Sequence, residues 1–234
     1  MNKTMVLDES RILFRNDACV VINKLPGEAV EGAGPGMGDL PKLLAECLHI
    51  NKAVAVNRLD VPVSGCVLFA LTPEALAFLN AAFVKGRVEK RYWAALELPP
   101  PLMEIPESGE LVHWIEAGKQ MNKSFAFTEE DKGRKKAILR YRILGRSDHY
   151  MFWEIELVTG RQHQIRAQLA AKGLCIKGDL KYGARRSEKN GGIRLHAYSL
   201  AFPDPLNAGQ RIQVKSPPPE PDNLWKAFDC FYPT

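Results

Sequence analysis

The sequence predicts an α+β protein in which helices pack on a central, mainly antiparallel mixed sheet. Two observations indicate this class. Short apolar or alternating runs typical of strands recur along the chain, and segments with helical apolar spacing stand between them. The sequence has no internal repeats, and its 234 residues are enough to bury a substantial core.

The first part of the chain alternates strand and helix signals. Strands are predicted at residues 12–14, 19–22, 53–56, 66–70 and 88–96. Apolar residues at helical spacing predict a helix from Leu40 to Leu48. A second helix begins at Thr72-Pro73-Glu74, which supplies an N-cap, a first-turn proline and an acid, and it should end at Gly86. The glycine-rich stretch 32–38 predicts a flexible loop without the Gly-Lys-Ser/Thr ending of a phosphate-binding loop.

The second part is less uniform. Prolines and glycines between Pro99 and Gly133 predict a loop with short strands. Two strands are predicted at 137–144 and 150–158, and the second alternates clearly between apolar and polar residues. A helix is expected to start at Thr159 and to stop at Gly173, and a short one at 223–228 follows a proline-rich segment.

The composition is that of a folded protein, with 46% hydrophobic and 25% charged residues and no apolar run of membrane-spanning length. The formal charge of +5 is compatible with a polyanionic partner without requiring one. Five scattered cysteines without a Cys-x-x-Cys pair favour reduced thiols and no metal site. Acidic residues interrupt the N-terminus before any signal-peptide core, so we expect a cytoplasmic protein.

One loop concentrates polar residues between two buried strands. Asn57-Arg58-Leu59-Asp60 is followed by Pro62 and by Ser64-Gly65, so that Arg58 and Asp60 are held on a short excursion from the core. Such a loop suits a chemical site. Taken alone, however, the pattern favours an ordinary turn in which Asp60 caps the backbone and Arg58 is solvated, because Asp is a common turn residue.

Further motifs in the right order distinguish these interpretations. The loop resembles the His-Arg-Leu-Asp-x-x-x-Ser-Gly signature of the RluA-type pseudouridine synthases, which isomerise uridine to pseudouridine in structured RNA. The segment Thr159–Arg166 resembles their Thr-Gly-Arg-Thr-His-Gln-Leu/Ile-Arg motif except at Gln162. Four shorter matches agree: Lys24-x-Pro26-Gly27 (with one residue displaced), Lys90-x-Tyr92-x-Ala94, Gly178-Asp179-x-x-Tyr182-Gly183 and Leu195-His196-Ala197.

The resemblance implies one catalytic domain over residues 12–217, with an N-terminal extension at 1–11 and a C-terminal tail at 218–234. We therefore expect no additional N-terminal RNA-binding domain. It also implies a pseudouridine-synthase-like fold with a catalytic cleft in which the segments carrying Asp60, Tyr92 and Arg166 converge.

The resemblance further assigns roles to residues. Asp60 is the catalytic carboxylate, acting as nucleophile or base, and Arg166 is its cationic partner. Tyr92 stacks on the target base, and Arg58 replaces that base in the RNA stack. Ile165 is an apolar wall, while Arg161 and His163 contact the substrate. The expected partner is ribosomal or transfer RNA, with no metal, cofactor or membrane, and we expect a monomer.

Two departures and two alternatives stay open. Asn57 and Gln162 replace the usual His and Thr of the family motifs, which leaves RNA choice and rate undetermined. An inactive RNA-binding protein on the same fold is one alternative. The other is a hydrolase using Ser64 or Cys66 with His163, although no Gly-x-Ser-x-Gly elbow is present, and His196 by itself suggests a structural histidine.

Overall fold

The computed structural model describes residues 7–32, 34, 39–100, 103–118, 122–207, 209–219 and 222–231. Most of the glycine-rich stretch at 32–38, and parts of the predicted N-terminal extension and C-terminal tail, lie outside these residues. The chain forms two compact units. Unit 1 comprises Met1–Glu89 and Ala197–Pro219, and unit 2 comprises Lys90–His196 and Glu220–Thr234. The domain limits at residues 12 and 217 stay a prediction.

The strands, in chain order, are β1 (Ile12–Arg15), β2 (Cys19–Lys24), β3 (Val54–Ala55), β4 (Ser64–Ala70), β5 (Glu89–Glu97), β6 (Ser108–Gly118), β7 (Lys123–Phe127), β8 (Lys135–Arg146), β9 (Tyr150–Leu157), β10 (Leu195–Pro203) and β11 (Arg211–Lys215). The α-helices are α1 (Leu40–Cys47), α2 (Pro73–Val84), α3 (Gln164–Ala171) and α4 (Asn223–Asp229).

The sheet of unit 1 has the order β1-β2-β4-β10, with β3 paired to β4 and β11 paired to β10. Strands β2 and β4 pair antiparallel, and every residue of both is buried. Their uninterrupted apolar runs are the pattern of strands covered on both faces. Strand β3 has two residues, half the predicted length, and is half-buried.

The structure confirms the predicted limits of helix α2. The Thr72 hydroxyl accepts a hydrogen bond from the backbone N–H of Ala75 at 3.2 Å, and Pro73 is the first helical residue. Gly86, at φ +65°, follows the helix in the left-handed conformation. Leu79 and Ala82 are fully buried in the core cluster of unit 1. Helix α1 is likewise confirmed, with Asp39 as its N-cap.

The sheet of unit 2 has the order β5-β9-β8-β6-β7, and all of these pairs are antiparallel. The predicted loop with short strands between Pro99 and Gly133 is wrong, because β6 alone has eleven residues. Its two glycines permit close packing. A Cβ at Gly109 would lie 3.0 Å from the Tyr141 hydroxyl oxygen, and one at Gly118 would lie 2.7 Å from the Lys123 carbonyl oxygen.

Helix α3 begins at Gln164, five residues later than predicted, while Gly173 follows its end at φ +71° as expected. Helix α4 agrees with the predicted short helix and packs Phe228 against Trp93 at 4.8 Å between ring centroids. The strands and helices together confirm the α+β class. Among the described residues, no helix has the length and apolar character needed to cross a bilayer.

Candidate active site

A buried lysine fixes the loop that carries Asp60. The Lys24 side chain is fully buried at the end of β2, and its Nζ donates hydrogen bonds to the carbonyl oxygens of Leu25, Val61 and Val63 at 2.9, 3.0 and 2.6 Å. Val61 and Val63 flank Pro62, directly after Asp60. Lys24 therefore holds the backbone on both sides of Pro62, directly after Asp60, against the end of β2.

The ammonium group of Lys24 also shapes the local potential. Burial lowers its pKa to about 8, and the nearby carboxylates of Glu28 and Asp60 oppose that effect. Glu28 is itself held by Arg11, whose Nη1 and Nη2 donate to its two carboxylate oxygens. The Asp60 carboxylate therefore favours the protonated form of Lys24 within unit 1.

Asn57 joins the two sides of the same loop. Its Oδ1 accepts a hydrogen bond from the backbone N–H of Leu68 at 2.7 Å, and its Nδ2 donates to the carbonyl oxygen of Cys66 at 3.4 Å. Both partners lie in β4, after the loop. The asparagine that departs from the family motif thus has a structural role, bracing the start of the loop against the strand at its end.

Gly65 explains the glycine of the Ser-Gly pair. It has φ +115°, and a Cβ there would lie 2.3 Å from the carbonyl oxygen of Ala197 in β10. A side chain would collide with the backbone of the neighbouring strand, so this position requires glycine. Ser64 and Cys66 on either side are both buried.

Arg58 projects from the loop into solvent. Its side chain is 69% exposed and forms an ion pair with Glu31, with 2.7 Å between Nη1 and Oε2. The orientation agrees with a group that acts outside the protein core. The Glu31 contact was not predicted, because nothing in the sequence relates an acid 27 residues earlier to this loop.

Tyr92 lies in β5 of unit 2, opposite Ile155 of β9, and is 6% exposed. Two residues earlier, burial lowers the pKa of Lys90 to about 8. A Cβ placed on Gly160 would lie 3.6 Å from the Lys90 Nζ, so the Lys-x-Tyr-x-Ala and Thr-Gly-Arg segments are neighbours within this unit.

The loop before α3 is braced by side-chain hydrogen bonds, which explains the late start of the helix. Thr159 Oγ1 accepts a hydrogen bond from the backbone N–H of Ile138 and donates to Gln164 Oε1, both at 2.8 Å. Gln164 Oε1 also accepts from the N–H of Arg161. His163 then adopts φ +52° immediately before the helix. Local bonding of this kind holds residues 159–163 outside the helix.

Arg166 is buried and makes a bidentate ion pair with Asp179. Its Nε and Nη2 each lie 2.7 Å from a carboxylate oxygen, and the two side chains are 4% and 1% exposed. The guanidinium carbon lies 4.8 Å from the centroid of the Tyr182 ring. Sequence reasoning assigned no role to Asp179, although the Gly-Asp-x-x-Tyr-Gly match marked it. The predicted pairing of Arg166 with Asp60 stays a prediction.

His163, Ile165 and Arg161 complete the predicted set in unit 2. His163 is 8% exposed, and its Nδ1 lies 3.0 Å from the hydroxyl oxygen of Tyr182. Ile165 is 4% exposed, whereas Arg161 is exposed and donates from Nε to the carbonyl oxygen of Lys136. Tyr92 and these residues belong to unit 2, and Arg58 and Asp60 belong to unit 1. Their convergence in one cleft stays a prediction.

The hydrolase alternative does not agree with the environment of its nucleophiles. Ser64 and Cys66 are 2% and 1% exposed. Burial raises the pKa of the Cys66 thiol to about 12, so it is protonated at neutral pH. A group that must attack a substrate needs access to it, and neither side chain has that access.

Comparison with known proteins identifies the family. The family model described as RNA pseudouridylate synthase matches residues 18–171. This range includes the Asp60 loop, Tyr92 and the Thr159–Arg166 segment. The chain belongs to the RluA-type RNA pseudouridine synthase family.

Relatives in this family cover most of the chain. An uncharacterized RNA pseudouridine synthase of Zymomonas mobilis is 33% identical over 204 residues, which are 81% of this chain and 86% of that protein. The ribosomal large subunit pseudouridine synthase C of Vibrio parahaemolyticus is 28% identical, over 93% of this chain and 68% of its own length. The protein is thus an isomerase of the pseudouridine synthase class.

The fold of the family is also that of a solved structure. Human RNA pseudouridylate synthase domain containing 4 superimposes with a TM-score of 0.73, covering 95% of this chain and 92% of that chain at 21% identity. At this identity the match concerns the fold alone. It agrees with the α+β architecture predicted for a pseudouridine synthase.

Proposed function

We propose that this RNA pseudouridine synthase isomerises specific uridines in ribosomal or transfer RNA, with Asp60 as its catalytic carboxylate. The observation that carries the proposal is the anchoring of the Asp60 loop by the buried ammonium of Lys24. A carboxylate that must meet one sugar carbon needs a fixed backbone, and three hydrogen bonds from one buried lysine supply it. An ordinary solvated turn has no need of a buried charge.

The reaction breaks the bond from the base nitrogen to the anomeric ribose carbon and joins a ring carbon to the sugar instead. Asp60 acts either as nucleophile at the anomeric carbon or as base at the neighbouring ribose position, and both roles require its ionised form. Lys24 supplies one positive charge near Asp60. Arg166 supplies the second positive charge, with its Nε and Nη2 edge already directed by Asp179 and its Nη1 edge proposed for Asp60.

The target uridine must leave the RNA stack before it can react. Extraction costs roughly a few kcal/mol, which an inserted side chain offsets. Arg58 is the proposed insert because its planar guanidinium can stack and form hydrogen bonds in the vacated position. An exposed ion pair such as Arg58–Glu31 is worth only about 0–1 kcal/mol, so RNA can displace Glu31 at little cost.

Tyr92 is proposed to stack on the extracted uracil, with Ile165 as an apolar wall and Arg161 and His163 as substrate contacts. The ring carbon that forms the new bond must also lose its proton, and the Tyr92 hydroxyl can take part in that transfer. We further propose that the protein acts as a monomer in the cytoplasm, without a metal or cofactor.

The experiment compares Asp60→Asn with wild type. Both proteins are incubated with transcribed transfer RNAs and ribosomal RNA fragments, and pseudouridine is measured by pseudouridine-specific chemical labelling. Asn cannot act as nucleophile or base, so formation of pseudouridine should fall at least about a thousandfold. Asp17→Asn, in the exposed β1–β2 turn, is the control and should retain full activity.

Folding is checked by circular dichroism and by RNA affinity, both of which should be unchanged in Asp60→Asn. A variant that folds, binds RNA and still forms pseudouridine would remove Asp60 from the mechanism. A wild-type protein that binds these RNAs without modifying any of them would instead favour the inactive RNA-binding alternative.

A further inference from the structure

Four cationic side chains of unit 2 surround the start of α3: Lys123, Lys136, Arg161 and Lys181, here called the basic patch. None of them takes part in an ion pair with a described residue. Arg134, Arg140 and Arg146 of the same unit, by contrast, are paired with Glu116, Glu110 and Glu107. The charge of the basic patch is therefore not neutralised locally, as expected of a surface that meets a polyanion.

Hydrogen bonds hold the parts of the basic patch together. Arg161 Nε donates to the carbonyl oxygen of Lys136 at 3.0 Å, which joins the loop before α3 to the start of β8. Gln162 Nε2 donates to Asn122 Oδ1 at 2.7 Å, and Lys181 Nζ donates to the Asn122 carbonyl oxygen at 3.1 Å. Asn122 immediately precedes Lys123. Hydrogen bonds thus connect the four segments that carry these cations.

The same connections explain Gln162, the second departure from the family motif. The amide of Gln162 reaches Asn122 at the start of β7, a contact that the shorter side chain of threonine would not make at this distance. In this protein, the loop that carries Arg161 is therefore tied directly to the strand that carries Lys123.

An exposed aromatic ring lies beside these cations. Phe125 in β7 is 41% exposed, whereas its neighbour Ser124 is buried, so alternation along the strand directs Phe125 outward. Lys123 Nζ lies 5.7 Å from the Phe125 ring centroid. Strand β7 is the last strand in the sheet order of unit 2. Aromatic rings beside cations are typical of surfaces on which single-stranded bases stack while phosphates are bound.

We propose that the basic patch binds backbone phosphates of the RNA outside the target uridine, and that Phe125 stacks on an unpaired base next to them. This inference rests on the proposed function, since it concerns the same RNA substrate. It assigns RNA contacts to Lys123, Lys136 and Phe125, which lie outside the family motifs, and to Lys181, a variable position of the Gly178–Gly183 motif. It also makes the loop before α3 part of RNA docking.

The test uses charge-matched double variants of the full-length protein. Lys123→Gln with Lys181→Gln removes two cations of the basic patch. Because the Lys123 Nζ also lies 4.9 Å from the centroid of the Tyr182 ring, melting temperatures of all variants are compared with that of wild type. Arg140→Gln with Arg146→Gln removes two cations that are already paired with glutamates. Each double variant lowers the formal net charge of +5 by two. A non-specific effect of net charge on RNA affinity would therefore be the same in both variants.

Affinity for an RNA that wild type modifies is measured against salt concentration. Each lost phosphate contact should reduce the slope of log affinity against log salt by about 0.7 to 0.9, so the patch variant should lose about 1.4 to 1.8. The Arg140/Arg146 variant should keep the wild-type slope. Phe125→Ala should weaken binding about tenfold with little change in slope, and Phe125→Trp should restore it.

If the two double variants had equal slopes of log affinity against log salt, and equal melting temperatures, the basic patch would not bind RNA phosphates as proposed. Wild-type affinity in Phe125→Ala would overturn the stacking role. These failures differ from failure of the proposed function, because they are measured with an RNA that wild type converts. Absence of any conversion by wild type would reject the proposed function first, and this inference with it.

Discussion

At the scale of single residues, two buried cations, Lys24 and Arg166, are each matched to defined partners. Lys24 has three carbonyl oxygens, and Arg166 has both oxygens of Asp179. A buried charge without such partners costs several kcal/mol, so each of these side chains constrains the backbone around it. Lys24 thereby fixes the Asp60 loop, and Asp179 fixes the direction of Arg166.

The Arg166–Asp179 pair gives a prediction about stability. In Asp179→Asn the shape is kept, but the guanidinium of Arg166 loses its buried counter-charge, and the free energy of unfolding should fall by about 3–5 kcal/mol. The measurement is urea unfolding followed by circular dichroism. Asp131→Asn is the control, because the Asp131–Arg134 pair is largely exposed on the acid side and should contribute less than about 1 kcal/mol. A similar small loss in both variants would contradict the assigned role of Asp179.

At the scale of elements, the helices and strands that could be predicted are those whose ends depend on residues close by in the sequence. Helix α2 was predicted to its ends, because Thr72, Pro73 and Gly86 act within one turn of each terminus. Strand β6 was missed because Gly109 and Gly118 resemble chain breaks. Glycine occupies these two positions because Tyr141 and the Lys123 backbone approach them closely, and only the folded sheet shows that approach. The start of α3 was misplaced because Gln164 bonds to Thr159 and Arg161.

Helix α4 is attached to unit 2 by a network of charges. Arg194 donates to the carboxylates of Glu188 and Asp222, and Lys177 donates to Glu188. Asp222 is also the N-cap of α4. Burial is the largest influence and raises the pKa of both acids, but the other influences together outweigh it. These are Arg194 and Lys177 for Glu188, and Arg194 with the backbone N–H groups of Trp225 and Leu224 for Asp222. Both pKa values therefore lie below their ordinary values of 4.5 and 3.8. The network therefore favours the ionised acids.

The pH dependence of α4 follows from these shifts. Acids whose pKa is lower in the folded state contribute stability above their unfolded pKa and lose it as the pH falls through the folded value. Below about pH 4.5, α4 should thus detach before the sheet unfolds. Hydrogen exchange of residues 222–231, corrected for the intrinsic rate, would measure this.

The controls for α4 separate its charge network from general acid unfolding. Glu188→Gln should increase exchange in residues 222–231 already at pH 7, because it removes the charge that holds Arg194 and Lys177. Asp229→Asn, an exposed substitution within α4, should leave the wild-type profile unchanged. Simultaneous loss of protection in α4 and in β8 on acidification would contradict the independent attachment.

At the scale of the whole molecule, the motifs were sufficient to predict the family and the fold class but not the detailed contacts. The sequence indicated Asp60, Tyr92 and Arg166 through patterns of adjacent residues. It could not indicate that Lys24 supports Val61 and Val63, nor that Asn57 spans its loop, because these contacts connect residues far apart in the chain. Long-range pairing of this kind is set by tertiary packing, and a single sequence records it only indirectly.

The RNA target is the remaining property of the whole molecule, and it gives the last prediction. Mapping pseudouridines in all cellular RNA, with and without this protein, should reveal the loss of one or a few defined sites in ribosomal or transfer RNA. We expect a small set because the enzyme recognises the shape of the RNA around the uridine that it flips out. Few sites in cellular RNA share one such shape. Re-expressed wild type should restore those sites, and Asp60→Asn should restore none. If Asp60→Asn restored them, the protein would act through another enzyme, since its own carboxylate would then be dispensable.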